Sequence, residues 1–249
     1  MALTVHQFPC LSDNYGFLIR DAATGKTACV DTPDADAILS ELAQLGWSLD
    51  LILNTHWHPD HAGGNAAIKT ATGAAIAGPA EVTRIAPLDR VVRGGDVVML
   101  GETRFEVLDS GGHTLGHVAY HDAADAIAFV GDTLFALGCG RLFEGTPEQM
   151  WDSLNRLADL PDDTTVYCAH EYTASNARFA LSVDDAPALK ARADAIFAAR
   201  ERGEATVPTT IAAEKATNPF LRAPLLRPGA PTQAQAFAEI RAAKDSFKG

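Results

Sequence analysis

The sequence predicts an α/β protein, with a mixed catalytic domain over residues 1–172 and a helical domain over 173–249. Three observations carry that expectation. Apolar runs of strand length, bounded by Gly, Asp, Asn or Pro, recur through the first two thirds. Segments with one apolar helical face lie between them. From about Thr173 the texture becomes alanine-rich and helix-forming.

Strands are expected at Leu3–Phe8, Tyr15–Ile19, Thr27–Val30, Leu49–Leu53, Val97–Leu100, Phe105–Leu108, Val118–Tyr120, Ile127–Val130 and Val166–Cys168. A helix over Asp36–Leu45 places Ile38, Leu39, Leu42 and Leu45 on one face. Thr146-Pro147-Glu148-Gln149 is a capping box with proline at the first helical position. The helix it opens should bury Met150, Trp151, Leu154 and Leu157. In the second domain, Asp185 and Pro187 start a helix that carries Leu189, Ile196 and Phe197 and stops at Arg202-Gly203. A polar loop with Pro208 and Asn218-Pro219 follows. The last helix begins at Thr232, with Gln235 three residues on, and carries Phe237, Ile240 and Phe247.

Composition narrows the function. With 249 residues, 47% of them apolar, the chain can build a real core. Its net charge of −12 disfavours nucleic acid as a partner, and an anionic substrate would need a local basic cluster. The four cysteines, Cys10, Cys29, Cys139 and Cys168, form no C-x-x-C pair, which suits reduced thiols in a cytoplasmic protein. The first residues lack the basic start and long apolar run of a leader. No stretch approaches the ~20 apolar residues of a membrane span. A monomer is the default expectation.

The chemistry gathers in Thr55-His56-Trp57-His58-Pro59-Asp60-His61-Ala62-Gly63-Gly64-Asn65. His56, His58, Asp60 and His61 are four metal-competent side chains in six residues. A lone histidine is most often a surface or core residue, but this density and spacing suit a divalent metal. His56 and His58, two apart, point the same way in extended chain. Asp60 and His61 lie beyond a proline and can face a second point, so one loop could feed two adjacent ions. His113, Asp132 and His170 each follow an apolar strand, at the edge where loops build sites in layered α/β proteins. Seven ligands fit two ions with one bridging carboxylate, each ion keeping a position for water. Zinc suits them best, and iron or manganese also accept them. Arg241 and Lys244, three apart on the last helix, share a face and offer the basic cluster. Asp31 is a candidate support for a metal-binding histidine, or a turn residue. His117 and His121 read as structural, and Cys139 and Cys168 as neither ligand nor nucleophile.

Together the 55–65 motif, Gly112-His113-Thr114-Leu115-Gly116-His117, Gly131-Asp132-Thr133-Leu134-Phe135 and the segment from Cys168 to His170-Glu171-Tyr172 resemble the metallo-β-lactamase superfamily. Within it the chain is similar to the glyoxalase II, or hydroxyacylglutathione hydrolase, family. Ser12-Asp13-Asn14-Tyr15, Gly138-Cys139-Gly140-Arg141, Glu144-Gly145-Thr146 and the C-terminal helices carry that closer likeness, which spans nearly the whole chain. The resemblance implies a four-layer αββα sandwich followed by the helical domain. It implies that His56, His58 and His113 hold one ion, that Asp60, His61 and His170 hold another, and that Asp132 bridges. It implies glutathione contacts from Arg141 and Tyr172, and a grip on the glycine carboxylate by Arg241 and Lys244. One departure is Phe143, where the family often has tyrosine, so a hydroxyl contact is missing here.

The implied reaction is hydrolysis of S-(2-hydroxyacyl)glutathione, giving D-lactate and glutathione from the lactoyl thioester, the second step of methylglyoxal removal. Asp132 and Asp60 are the catalytic carboxylates of that reading. Two divalent ions lower the pKa of bound water to about 7, so no separate strong base is needed. The rivals are a mononuclear-iron glutathione persulfide dioxygenase, another metal-dependent hydrolase of the same fold, and a non-catalytic metal binder. The complete second ligand set argues against the dioxygenase, and the Arg241–Lys244 pair against a lactone or phosphodiester substrate.

Overall fold

The computed structural model describes Leu3–Gly249. Met1 and Ala2, at the start of the segment read above as lacking a leader, lie outside the described residues. The chain forms two compact units: Met1–Asp109 with Gly116–Gly131, and Ser110–Leu115 with Asp132–Gly249.

The first unit is built on two sheets. In one, β1 (Leu3–Cys10), β2 (Asn14–Asp21), β3 (Thr27–Val30), β4 (Leu51–Leu53), β5 (Ala75–Gly78) and β6 (Arg90–Val91) lie in chain order. The first three are antiparallel, and β3 to β6 run parallel. Parallel neighbours need a long crossover. Here α1 (Ala35–Leu45) leads to β4, and α2 (Pro59–Ala62) with α3 (Asn65–Thr72) leads to β5. In the other sheet, β7 (Val97–Leu100), β8 (Thr103–Asp109), β9 (Val118–Asp122) and β10 (Ile127–Gly131) pair antiparallel.

One row of side chains explains the outer layer. Leu18 lies opposite Cys29, Cys29 beside Ile52, and Ile52 beside Ile76. Residues in one row of the pleat face the same side. Ile38 and Leu42 of α1 and Ile68 of α3 close the same cluster. Burying each such aliphatic side chain contributes roughly 1.5–3 kcal/mol. Asp34 caps α1 by accepting from the Ala37 amide at 3.1 Å, and Gly46 ends it in the left-handed conformation. On the other side of the sheet, Phe17 meets Phe129 of β10 edge-on at 5.6 Å. The unit is thus layered helix, sheet, sheet.

The second unit contains the hairpin β11 (Leu134–Phe135) and β12 (Gly138–Cys139), then α4 (Pro147–Ala158) and β13 (Thr165–Cys168). After these come α5 (Thr173–Val183), α6 (Pro187–Glu201), β14 (Thr209–Thr210), α7 (Ile211–Thr217), α8 (Ala223–Leu226) and α9 (Gln233–Ser246). β14 pairs with β13. Ala177, Ala180 and Ala193 let α5 and α6 pack closely around Leu137, Leu189 and Ile196. Fully buried Glu214 accepts from Arg192, from Thr209 Oγ1 at 2.6 Å and from the Leu137 amide at 2.9 Å. A buried carboxylate is tolerable when its lone pairs are so satisfied.

Thr146 caps α4, accepting from the Gln149 amide, and Met150, Trp151, Leu154 and Leu157 are all buried. Two local expectations fail. The segment read as a polar loop contains α7, because Thr210 accepts from the Ala213 amide and Ile211 is buried. Phe247 sits in extended backbone one residue beyond α9, not on it. No helix among the described residues is long and apolar enough to cross a membrane.

Candidate metal centre and substrate-binding residues

Parallel pairing puts the carboxyl ends of β3 and β4 side by side, with the Asp31 amide donating to the Leu53 carbonyl at 2.9 Å. Asp31 follows β3, and Thr55-His56 follows β4. Asp31 is buried, with φ of +56°, a conformation aspartate adopts more readily than most residues. Its carboxylate accepts from the Thr55 amide at 2.8 Å and the Thr55 hydroxyl at 2.7 Å, and its Oδ2 lies 2.9 Å from His61 Nδ1. Thr55 Oγ1 in turn lies 3.0 Å from His56 Nδ1. Both rings are therefore held by Nδ1, leaving Nε2 for a ligand's role.

These Nε2 atoms face the other candidates in the loop. His56 Nε2 is 3.1 Å from His58 Nδ1, and His61 Nε2 is 3.4 Å from Asp60 Oδ2. The two-apart spacing does bring His56 and His58 together, although 56–58 is irregular rather than strand. Pro59 begins the single turn of α2, which returns His61 to within 4.0 Å of the His56 ring. Donor atoms of Asp31, His56 and His61 lie within 4.8 Å of one another. Gly63 and Gly64 are required by this bend: a Cβ would meet the Pro59 carbonyl at 2.3 Å or the Thr32 carbonyl at 2.8 Å.

The second unit builds a matching group. Asp132, directly after β10, places Oδ2 3.3 Å from His113 Nε2 and Oδ1 3.3 Å from His170 Nε2. His113 Nδ1 is held by the Arg141 carbonyl at 2.8 Å, so Nε2 is again the nitrogen turned toward the candidate ligands. Tyr172 stacks on His170 with ring centroids 4.6 Å apart. Imidazoles and carboxylates suit divalent cations, and here His56, His61, His113, Asp132 and His170 are buried, the first three held through Nδ1 and His170 by a stacked ring. Cys139 and Cys168 do not belong to this chemistry. Burial pushes their thiols up to about 11 and about 12, so both stay protonated at neutral pH.

The five expected substrate contacts all lie in the second unit. Arg241, only 7% exposed, donates to the Cys139 carbonyl at 3.1 Å and to Asp245 at 2.8 Å. Arg141 Nε lies 3.8 Å from the same Asp245 oxygen. Lys244 donates to the Ser175 carbonyl at 3.2 Å. Burial, then the charges of Arg241 and Arg178, lowers its pKa to about 8. Phe143 is 60% exposed, and its ring lies 5.2 Å from that of His113. Residue patterns gave no separate signal for the polar set behind the loop. Thr32 donates to Asn65, Asn65 to Asn54, and Asn54 to the His61 carbonyl, while Asn14 donates to Asp60. A clue to part of it was Asn54-Thr55, polar residues closing an apolar strand. His117, read as structural, stacks 4.7 Å from His56.

Known proteins are similar to this chain. The family model described as metallo-beta-lactamase superfamily matches residues 17–170, and that described as hydroxyacylglutathione hydrolase C-terminus matches 171–247. A hydroxyacylglutathione hydrolase of Maricaulis maris is 58% identical over 98% of this chain and 99% of its own length. One from Erythrobacter litoralis is 54% identical over 98% and 100%. Among solved structures, ETHE1 from Myxococcus xanthus superposes with a TM-score of 0.72 at 29% identity, covering 96% of this chain and 90% of that one. The BLEG-1 B3 metallo-β-lactamase, at 22% identity, a TM-score of 0.67 and coverage of 88% and 99%, shares the fold.

Proposed function

The chain belongs to the hydroxyacylglutathione hydrolases of the metallo-β-lactamase superfamily, and we propose that it cleaves S-D-lactoylglutathione with two divalent ions. It is a metal-dependent thioester hydrolase. The observation that carries the reading is Asp132, whose two oxygens each face one imidazole at 3.3 Å. In this reading His56, His58 and His113 would hold one ion, Asp60, His61 and His170 would hold the other, and Asp132 would serve both. Zinc is the proposed metal, with iron and manganese compatible with the same donors. Bound there, a divalent pair lowers the pKa of water toward 7 and polarises the thioester carbonyl.

The chain's own residues do the rest. Asp132 orients the attacking water, and Asp60 balances positive charge beside His61. The carbon–sulfur bond breaks to release a thiolate whose conjugate thiol has a pKa of about 8.5, so no dedicated general acid is required. Arg141, Phe143, Tyr172, Arg241 and Lys244 seat the glutathione moiety, with Arg241 and Lys244 on its glycine carboxylate. Residues 1–172 then act as the catalytic domain and 173–249 as the substrate-binding domain, in a cytoplasmic monomer. The test is hydrolysis of S-D-lactoylglutathione by purified protein, with metal content measured on the same sample. Turnover at about two metals per chain is expected, and an inert, metal-replete protein would refute the reading.

A further inference from the structure

A groove of about 530 Å³ opens between α5 and α6, lined by Ala174, Arg178, Phe197, Arg200 and Glu201. Ala174 and Arg178 are one turn apart on α5, and Phe197, Arg200 and Glu201 share a face of α6. Arg178 has no carboxylate partner among the described residues. Its guanidinium lies 5.9 Å from the centre of the Phe197 ring. Glu201 makes no ion pair or side-chain hydrogen bond among the described residues; it feels the charge of Arg202, which is itself bonded to Glu204. Arg200 is tied down, 3.5 Å from Glu171 and donating to the Glu204 carbonyl at 2.6 Å. The groove thus offers a guanidinium over the Phe197 ring and a carboxylate, neither of them in an ion pair among the described residues.

We propose that this groove binds the γ-glutamyl head of the substrate, Arg178 taking its α-carboxylate and Glu201 its α-ammonium. An α-amino-acid head is the zwitterion complementary to that pair. Position supports the assignment. Tyr172, one of the proposed glutathione contacts, is the N-cap of α5, and Arg178 lies six residues further on, about 9 Å along the helix. A tripeptide spans roughly 10 Å when extended. Lys244, proposed to hold the glycine carboxylate, touches Ser175 on the same helix between the two groove residues of α5. Burial and the Arg241 charge lower Lys244 most, and the Arg178 charge adds to them. This inference rests on the glutathione-thioester reading above and adds the determinant that separates the tripeptide from shorter thiols.

The test compares S-D-lactoylglutathione with S-D-lactoyl-N-acetylcysteinylglycine, which keeps the amide on the cysteine nitrogen but lacks the rest of the γ-glutamyl group. In the unaltered protein kcat/KM should favour the full thioester. In Arg178→Ala that preference should fall about fivefold, and in Glu201→Gln about threefold, as befits solvent-facing charge pairs. Arg178→Lys should restore part of it. Glu201→Gln is nearly isosteric and carries the test should Arg178→Ala fold poorly. A preference unmoved in both variants, or equal losses on both thioesters, overturns the proposal. Absence of turnover in the unaltered protein would instead sink the glutathione-thioester reading itself.

Discussion

The loop after β4 and the helix α9 handle charge in opposite ways. In the loop, Asn54, Thr55, His56 and His61 are at most 1% exposed, and the ring nitrogens of His56 and His61 already face an oxygen or another candidate ligand. Carboxylates of Asp31 and Asp60 flank the imidazoles, so the loop is ordered in advance for a cation. On α9, Arg241 and Lys244 sit within one turn; burial and then the Arg241 and Arg178 charges lower Lys244 to about 8, and Asp245 offsets only part of this. Preorganisation by hydrogen bonds marks the proposed catalytic side, and like charge only partly offset by Asp245 marks the proposed binding side.

The largest effects should come from breaking the first kind of order. Asp132→Ala should lower kcat/KM by on the order of 10³, with metal per chain falling in the same preparation. Turnover within tenfold of the unaltered protein would remove Asp132 from the centre. Asp31→Asn keeps the shape but weakens the acceptor for the Thr55 hydroxyl and His61 Nδ1. Metal affinity should drop about 10–100-fold, measured by chelator competition. Because Asp31 acts by positioning, excess metal should largely restore kcat, a rescue that a general folding defect would not show.

The same contrast decides what was legible in the sequence. His56, His58, Asp60 and His61 announce themselves because their types are few and their spacing short. Capping boxes at Thr146 and Thr232 are equally readable, since the donor and acceptor are local. Thr32, Asn54 and Asn65 are not, because their meaning lies in hydrogen bonds across 7 to 33 residues. Arg178 and Glu201 belong to no sequence motif, and only the pairing of α5 with α6 gives them a groove. α7 was hidden because its stability comes from buried Ile211 and Glu214 rather than from an amphipathic pattern.

Intermediate effects should come from α9. Arg241→Ala should raise KM for the glutathione thioester roughly tenfold with little change in kcat. It should also lower Tm, because the Cys139 carbonyl loses a buried donor. A KM that stays put would separate Arg241 from the substrate. Lys244 sharpens the point through pH. Its charge is present below about 8 and lost above, disfavoured by burial and by Arg241 and Arg178, and favoured by Asp245. KM should therefore rise severalfold as pH goes from about 7 to 9. Lys244→Arg, which stays protonated, should flatten that rise. An identical profile in the variant would place the titration elsewhere.

The smallest expected effect concerns Phe143, where an aromatic ring meets solvent beside His113. Its face is also 5.9 Å from the Arg141 guanidinium, so the ring already has a packing role. Phe143→Tyr adds one hydroxyl at an exposed position without disturbing the buried histidines. A net hydrogen bond contributes about 0.5–1.5 kcal/mol, and exposure argues for the low end. KM should fall about two- to threefold, with kcat and metal content unchanged. If KM is unmoved, the substrate does not reach that edge of the ring, and Phe143 works as an apolar wall. If kcat moves instead, the ring influences His113 directly, and the division between an ordered catalytic side and a separate binding side is less sharp than drawn.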